Sequence, residues 1–150
     1  MAFLDRWEEE INEFVKKYYQ SFFTKNKFEF LKKEAAQGGG SMTFSDSAVL
    51  LQITNNKSRF MIQVGHMEGK SFWGLDLIKA HFKIADYRID EDNVAGRKGA
   101  FGGFNLDDYA GNANFLVSNF IKVENLFAPA NSAGTNQQME KLSQEKQKYM

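Results

Sequence analysis

From Phe3 to Phe22 the apolar positions Leu4, Trp7, Ile11, Phe14, Tyr18 and Phe22 recur at steps of three and four, with Glu8, Glu9, Glu13, Lys16 and Lys17 between them. That period predicts an amphipathic helix with one face turned to a core. Its acids lie early and its lysines late, an order that complements the helix dipole. Thr24 offers a cap for a second, shorter helix carrying Phe28 and Leu31. Gly38-Gly39-Gly40 would end that helix and open a flexible loop or hinge from Gln37 to Ser41.

From Met42 the period changes to two. Val49, Leu51 and Ile53 alternate with Leu50, Gln52 and Thr54, and Phe60, Ile62 and Val64 alternate with Met61 and Gln63. The short, turn-tolerant connection Asn55-Asn56-Lys57 makes these strands an antiparallel hairpin. Ser71-Phe72-Trp73 reads as a third strand. Leu75, Ile78 and Phe82 return to helical spacing, while Tyr87 and Ile89 fit either that helix or a further short strand.

Asp90 to Phe104 mixes Gly96, Gly99, Gly102 and Gly103 with Asp, Asn, Arg and Lys, the composition of a long exposed loop. Asn105 then caps a helix whose apolar positions Leu106, Tyr109, Ala113, Leu116, Phe120, Val123 and Phe127 pack on the sheet until Pro129 stops it. After Asn131 only Met139, Leu142 and Tyr149 offer much to bury. The expectation is one α+β domain over 1–130, with N-terminal helices, a small antiparallel sheet and a long C-terminal helix on that sheet. Residues 131–150 follow as a weakly docked helix or a flexible tail.

Composition narrows the function classes. A chain of 150 residues with 43% apolar side chains can bury a continuous core, and its 15 phenylalanines make that core aromatic. The 19 basic and 19 acidic residues balance, which removes the broad positive field that attracts nucleic acid or anionic lipid. With no cysteine, disulfides, thiol nucleophiles and Cys-based zinc or iron–sulfur sites are excluded. Charges or amides interrupt every hydrophobic run before it reaches the roughly 20 residues of a membrane span. The acidic start from Asp5 to Glu10 lacks the basic lead and apolar stretch of a signal peptide, so the expected location is cytoplasmic.

Candidate chemistry is sparse. The two histidines, His66 and His81, lie fifteen residues apart, without metal-ligand spacing. Pairing His66 with Glu68, or His81 with Asp86, would make an acid–base couple, against the commoner role of a structural or surface histidine. Asp90-Glu91-Asp92-Asn93 has the carboxylate density of a calcium loop but places Val94 at an oxygen-donor position and Ala95 where the turn glycine belongs. The stretch from Gly96 to Gly103 lacks both phosphate-loop and dinucleotide spacing. Ser71, after Gly69 and Lys70, does not complete a nucleophile elbow. No metal, cofactor or catalytic set is therefore expected, and nothing identifies an enzyme.

In its organisation, an N-terminal amphipathic helix, the hairpin from Val49 to Val64, the strand around Phe72-Trp73 and a late helix from Leu106 to Phe127, the chain resembles the small cytoplasmic immunity proteins that bacteria use against secreted toxins. That resemblance implies a protein-binding module that neutralises a partner, such as a toxin domain, by steric occlusion. The candidate contacts are Arg97, Lys98, Phe101 and Phe104, where cations and aromatics are interleaved with glycines. The same phenylalanines, read as packing, tuck the loop onto the core. Two other readings stand beside it: a small-ligand or catalytic domain with a pocket between sheet and helices, and an assembly role in which Trp7 and Tyr18 help the first helix dimerise.

Overall fold

The computed structural model describes residues 5–67, 71–87, 108–128 and 131–147. The first helical stripe is two helices, α1 (Arg6–Tyr18) and α2 (Gln20–Lys25), broken at Tyr19. Ile11, Phe14 and Phe22 are buried as the period requires, and Tyr19 at the break is buried more deeply than Tyr18. Thr24 does not cap a second helix running onward; it sits in the last turn of α2 and accepts the Lys27 amide at 3.3 Å. Phe28 donates to the Phe23 carbonyl at 2.9 Å, their rings lie 5.0 Å apart, and Lys27 between them has φ +58. This is the Schellman ending of a helix, with a lysine at the left-handed position that glycine usually fills.

The chain therefore leaves α2 as a strand. β1 (Glu29–Ala36), β2 (Gly39–Ser45), β3 (Val49–Asn56), β4 (Arg59–His66) and β5 (Phe72–Gly74) form an antiparallel meander in that order. The triple glycine is not a hinge. Gln37-Gly38 is a two-residue hairpin connection in which Gly38 takes φ +86, while Gly39 and Gly40 already belong to β2. A Cβ on Gly39 would strike the Asn55 carbonyl, and one on Gly40 would lie 2.8 Å from the Trp7 ring and 2.7 Å from the Glu34 carbonyl. The β3–β4 hairpin turns through Lys57 and Ser58, both at positive φ as a type I′ turn demands. Buried Asn55 holds it, accepting the Ser58 amide at 2.9 Å and donating to the Trp7 carbonyl at 3.2 Å.

Register places Phe44, Leu51 and Val64 in one row and Met42, Ile53 and Ile62 in the next, all on the face that meets the helices. The other face carries Thr43, Gln52 and Gln63 as a row. Helix α3 (Leu75–Tyr87) follows β5 directly, so Tyr87 is helical. The late helix is likewise two, α4 (Tyr109–Ser118) and α5 (Phe120–Leu126), and its cap is Asp108, whose carboxylate accepts the Gly111 amide at 3.0 Å. Asn105 lies outside the described residues. Ala113, Leu116, Phe120, Val123 and Phe127 are buried, as their spacing predicts.

The stretch after Asn131 contains helix α6 (Ser132–Gln147), which puts Met139 (0% exposed) and Leu142 (5% exposed) into the core. Buried Thr135 donates to the Leu126 carbonyl, and Asn136 accepts the Trp73 indole N–H at 3.0 Å. The molecule is an α+β fold in which helices cover one face of a five-stranded antiparallel sheet. No helix among the described residues is long and apolar enough to cross a membrane.

Candidate functional site

Two places in this architecture offer more than packing. The first is β1. It is the outermost strand, and all eight of its residues are exposed. Its pairing with β2 slips between Phe30 and Lys32, leaving Leu31 without an opposite residue. Such a bulge re-aims side chains at a sheet edge, and here Phe30 and Leu31 are adjacent apolar residues, 50% and 51% exposed. Phe30 still touches the Phe44 ring, at 6.0 Å between centroids. Phe28, two residues earlier, meets Phe120 of α5 at 5.7 Å, and the next residue, Ile121, is 82% exposed. Below this edge Lys33 reaches α1 and donates to both oxygens of buried Glu8, at 2.9 and 3.0 Å.

The second place is at the far side of the sheet. β5 pairs with β4 only from Gln63 to Gly65, so the Arg59–Ile62 half of β4, paired with β3 on one side, has no described strand on its outer side. The Phe60 amide donates instead to the Tyr109 hydroxyl of α4, at 3.2 Å. A cavity of ≈ 260 Å³ occupies this notch, between β4, the start of α3 and helices α1 and α4. Phe14 stacks on Phe60 at 4.6 Å, and the Tyr109 ring stands edge-on to both, at 5.4 and 5.8 Å. Tyr19, Ile62, Leu75 and Asn112 line it from the buried side, and half-buried Asp76 brings a carboxylate to it. Burial pushes the Tyr19 hydroxyl well above the ordinary tyrosine range, so it stays a neutral phenol.

The histidines do not meet. His66 is buried beside Phe127; its Nδ1 lies 2.8 Å from the Phe127 carbonyl and therefore donates, and Nε2 has no partner among the described residues. His81 is half-buried in α3, which lowers its affinity for a proton. Glu68 and the Asp86 side chain lie outside the described residues, and so do Arg97, Lys98, Phe101 and Phe104, the expected partner contacts. Among the described residues no three His, Asp or Glu side chains gather as metal ligands do.

Sequence reasoning puts Leu31 on a short helix after Thr24 and does not single out Phe30, and it misses the aromatic notch, whose members are spread from Phe14 to Asn112. The only local signal for β1 was the glycine pair of a tight hairpin. Comparison with protein-family models, with curated proteins and with solved structures gives no match. The fold and these two places are what the functional reading rests on.

Proposed function

We propose that the chain is a protein-binding module of the immunity or inhibitor type, occluding a partner protein, and that β1 carries the contact. The supporting observation is the β1 edge, with no described strand on its outer side and the exposed pair Phe30 and Leu31. An exposed strand edge is a template for any passing strand, and proteins guard such edges with charge and bulges. Lys32, Lys33, Glu34 and the bulge at Leu31 are guards of that kind. Against them stand two apolar side chains where a guarded edge would place polar ones, the combination expected of an edge reserved for one partner. An extended segment laid along β1 would gain main-chain hydrogen bonds from the strand and its specificity from Phe30, Leu31 and the mixed charges.

The reading implies that a secreted toxin domain is encoded beside this gene, and the test is co-expression with that domain. The expected result is a stoichiometric complex and protection from the toxin, both lost in a Phe30→Asp, Leu31→Asp variant that keeps the wild-type melting curve. A complex that survives the double substitution, or no complex with the wild-type chain, would overturn the reading.

A further inference from the structure

We propose that the cavity at the outer edge of β4, beyond the end of β5, binds a small organic cation, a protonated amine on a ring or short apolar body, with Asp76 as its counter-ion and Phe14, Phe60 and Tyr109 as its aromatic wall. The hollow follows from the fold. β5 ends at Gly74 because α3 begins at Leu75, and among the described residues no strand continues along β4; the Tyr109 hydroxyl takes the Phe60 amide there instead. Its lining from Phe14, Ile62 and Leu75 is core, each no more than 7% exposed, so the shape is held by packing in the absence of a ligand.

The chemistry of the lining selects the ligand. Among the described residues that line it, the ionised side chain is the Asp76 carboxylate. An anion brought here would meet that charge in a half-buried setting, whereas an ammonium would be attracted to it. Aromatic faces carry negative charge density and favour a cation within about 6 Å, and three rings are packed together at one wall. The neighbouring cation, Lys79, is turned to other work: its Nζ donates to Asn112 Oδ1 at 2.9 Å and lies 5.1 Å from the centre of the Phe115 ring. Asp76 interacts elsewhere in the chain as well, but a carboxylate has acceptor capacity for more than one donor. A volume of ≈ 260 Å³ is below the roughly 300–1,000 Å³ of drug-sized sites, which limits the ligand to a compact metabolite-like amine.

The probes are 2-phenylethylamine, protonated at pH 7, and 2-phenylethanol, its uncharged counterpart of the same length, titrated into the full-length chain by amide NMR. The expected result is saturable binding of the amine, with shifts centred on Phe60, Ile62, Gly74 and Asp76, and at least tenfold weaker binding of the alcohol. Asp76→Asn should lower amine affinity to the level of the alcohol, and Phe60→Leu should weaken the amine severalfold. Equal affinity for amine and alcohol in the wild-type chain, shifts centred elsewhere, or no saturable binding of the amine would overturn the proposal. The wild-type comparison decides even if a variant fails to fold; a folded Asp76→Asn chain that binds the amine as the wild type does would also overturn it.

Discussion

Removing residues 131–150 tests how far the core extends. Met139 is fully buried and Leu142 is 5% exposed, both on a helix that carries little else that is apolar. Deleting a buried Met or Leu side chain costs about 2–5 kcal/mol each in lost transfer free energy and cavity formation. The two positions are one helical turn apart in the same core cluster, so their costs will not add fully. Truncation also uncovers the Leu126 carbonyl bonded by Thr135 and the Trp73 indole bonded by Asn136, each hydrogen bond being worth about 1 kcal/mol net. Against these stands the ordering entropy recovered by the released segment. A net loss of about 3–6 kcal/mol is expected, a large part of the roughly 5–15 kcal/mol that holds a domain together.

Urea unfolding followed by circular dichroism gives the global midpoint, and tryptophan emission adds a local reading because Trp73 faces α6. The truncated chain should lose most of its stability and shift its emission to the red. Met139→Ala and Leu142→Ala should each show part of the loss. A truncated chain that unfolds cooperatively at the wild-type midpoint would refute the assignment of Met139 and Leu142 to the core.

Lys27 holds the left-handed position of the α2 ending at φ +58, so Lys27→Gly should raise stability by about 0.5–1 kcal/mol, measured by the urea midpoint. Gly40→Ala should destabilise by about 1–3 kcal/mol, because the new methyl meets the Trp7 ring and the Glu34 carbonyl; a smaller cost in the Trp7→Leu background would trace the clash to the ring, and equal costs would exclude it. Glu124 has its carboxyl affinity for protons raised by burial first and by the Asp46 charge second. Its ionised form therefore works against folding at neutral pH, a penalty relieved as pH falls through the raised value, so Glu124→Gln should raise the thermal midpoint at pH 7 and leave it unchanged near pH 3.

Strands β3 and β4 were legible because their core residues fall at every second position: Val49, Leu51 and Ile53 oppose His66, Val64 and Ile62. β1 was not. Glu29 to Ala36 is rich in Leu, Lys, Glu and Ala, all good helix formers, and the bulge at Leu31 spoils its alternation. Its strand state comes from pairing with β2, whose first three residues, Gly39, Gly40 and Ser41, carry no apolar signature to announce a strand. The features that force glycine there, the Asn55 carbonyl and the Trp7 ring, come from elsewhere in the chain. The helix breaks at Tyr19 and Asn119 were hidden for the opposite reason: the apolar period runs through both without interruption. Glu8 reads as a surface acid because its partner, Lys33, is twenty-five residues away in a strand whose sequence favours a helix.

The cavity was illegible in a stronger sense, since Phe14, Phe60, Asp76 and Tyr109 follow no spacing and each is satisfactory as an ordinary core or surface residue. Only the early end of β5 brings them together. The two proposed sites also lie at opposite edges of the meander, β1 on one side and the β4–β5 notch on the other, with β2 and β3 between them. One element reaches both: α1 pairs Glu8 with Lys33 of β1 and, six residues later, stacks Phe14 on Phe60. Coupling between the sites would need α1 to have two discrete positions. Its seating argues for one, because Ile11 is fully buried, the Trp7 ring closes on Gly40 and Asn55 holds the Trp7 carbonyl. The amine affinity of the Phe30→Asp, Leu31→Asp chain should therefore equal that of the wild type within twofold, and a larger change would show that α1 moves and that the two edges report on each other.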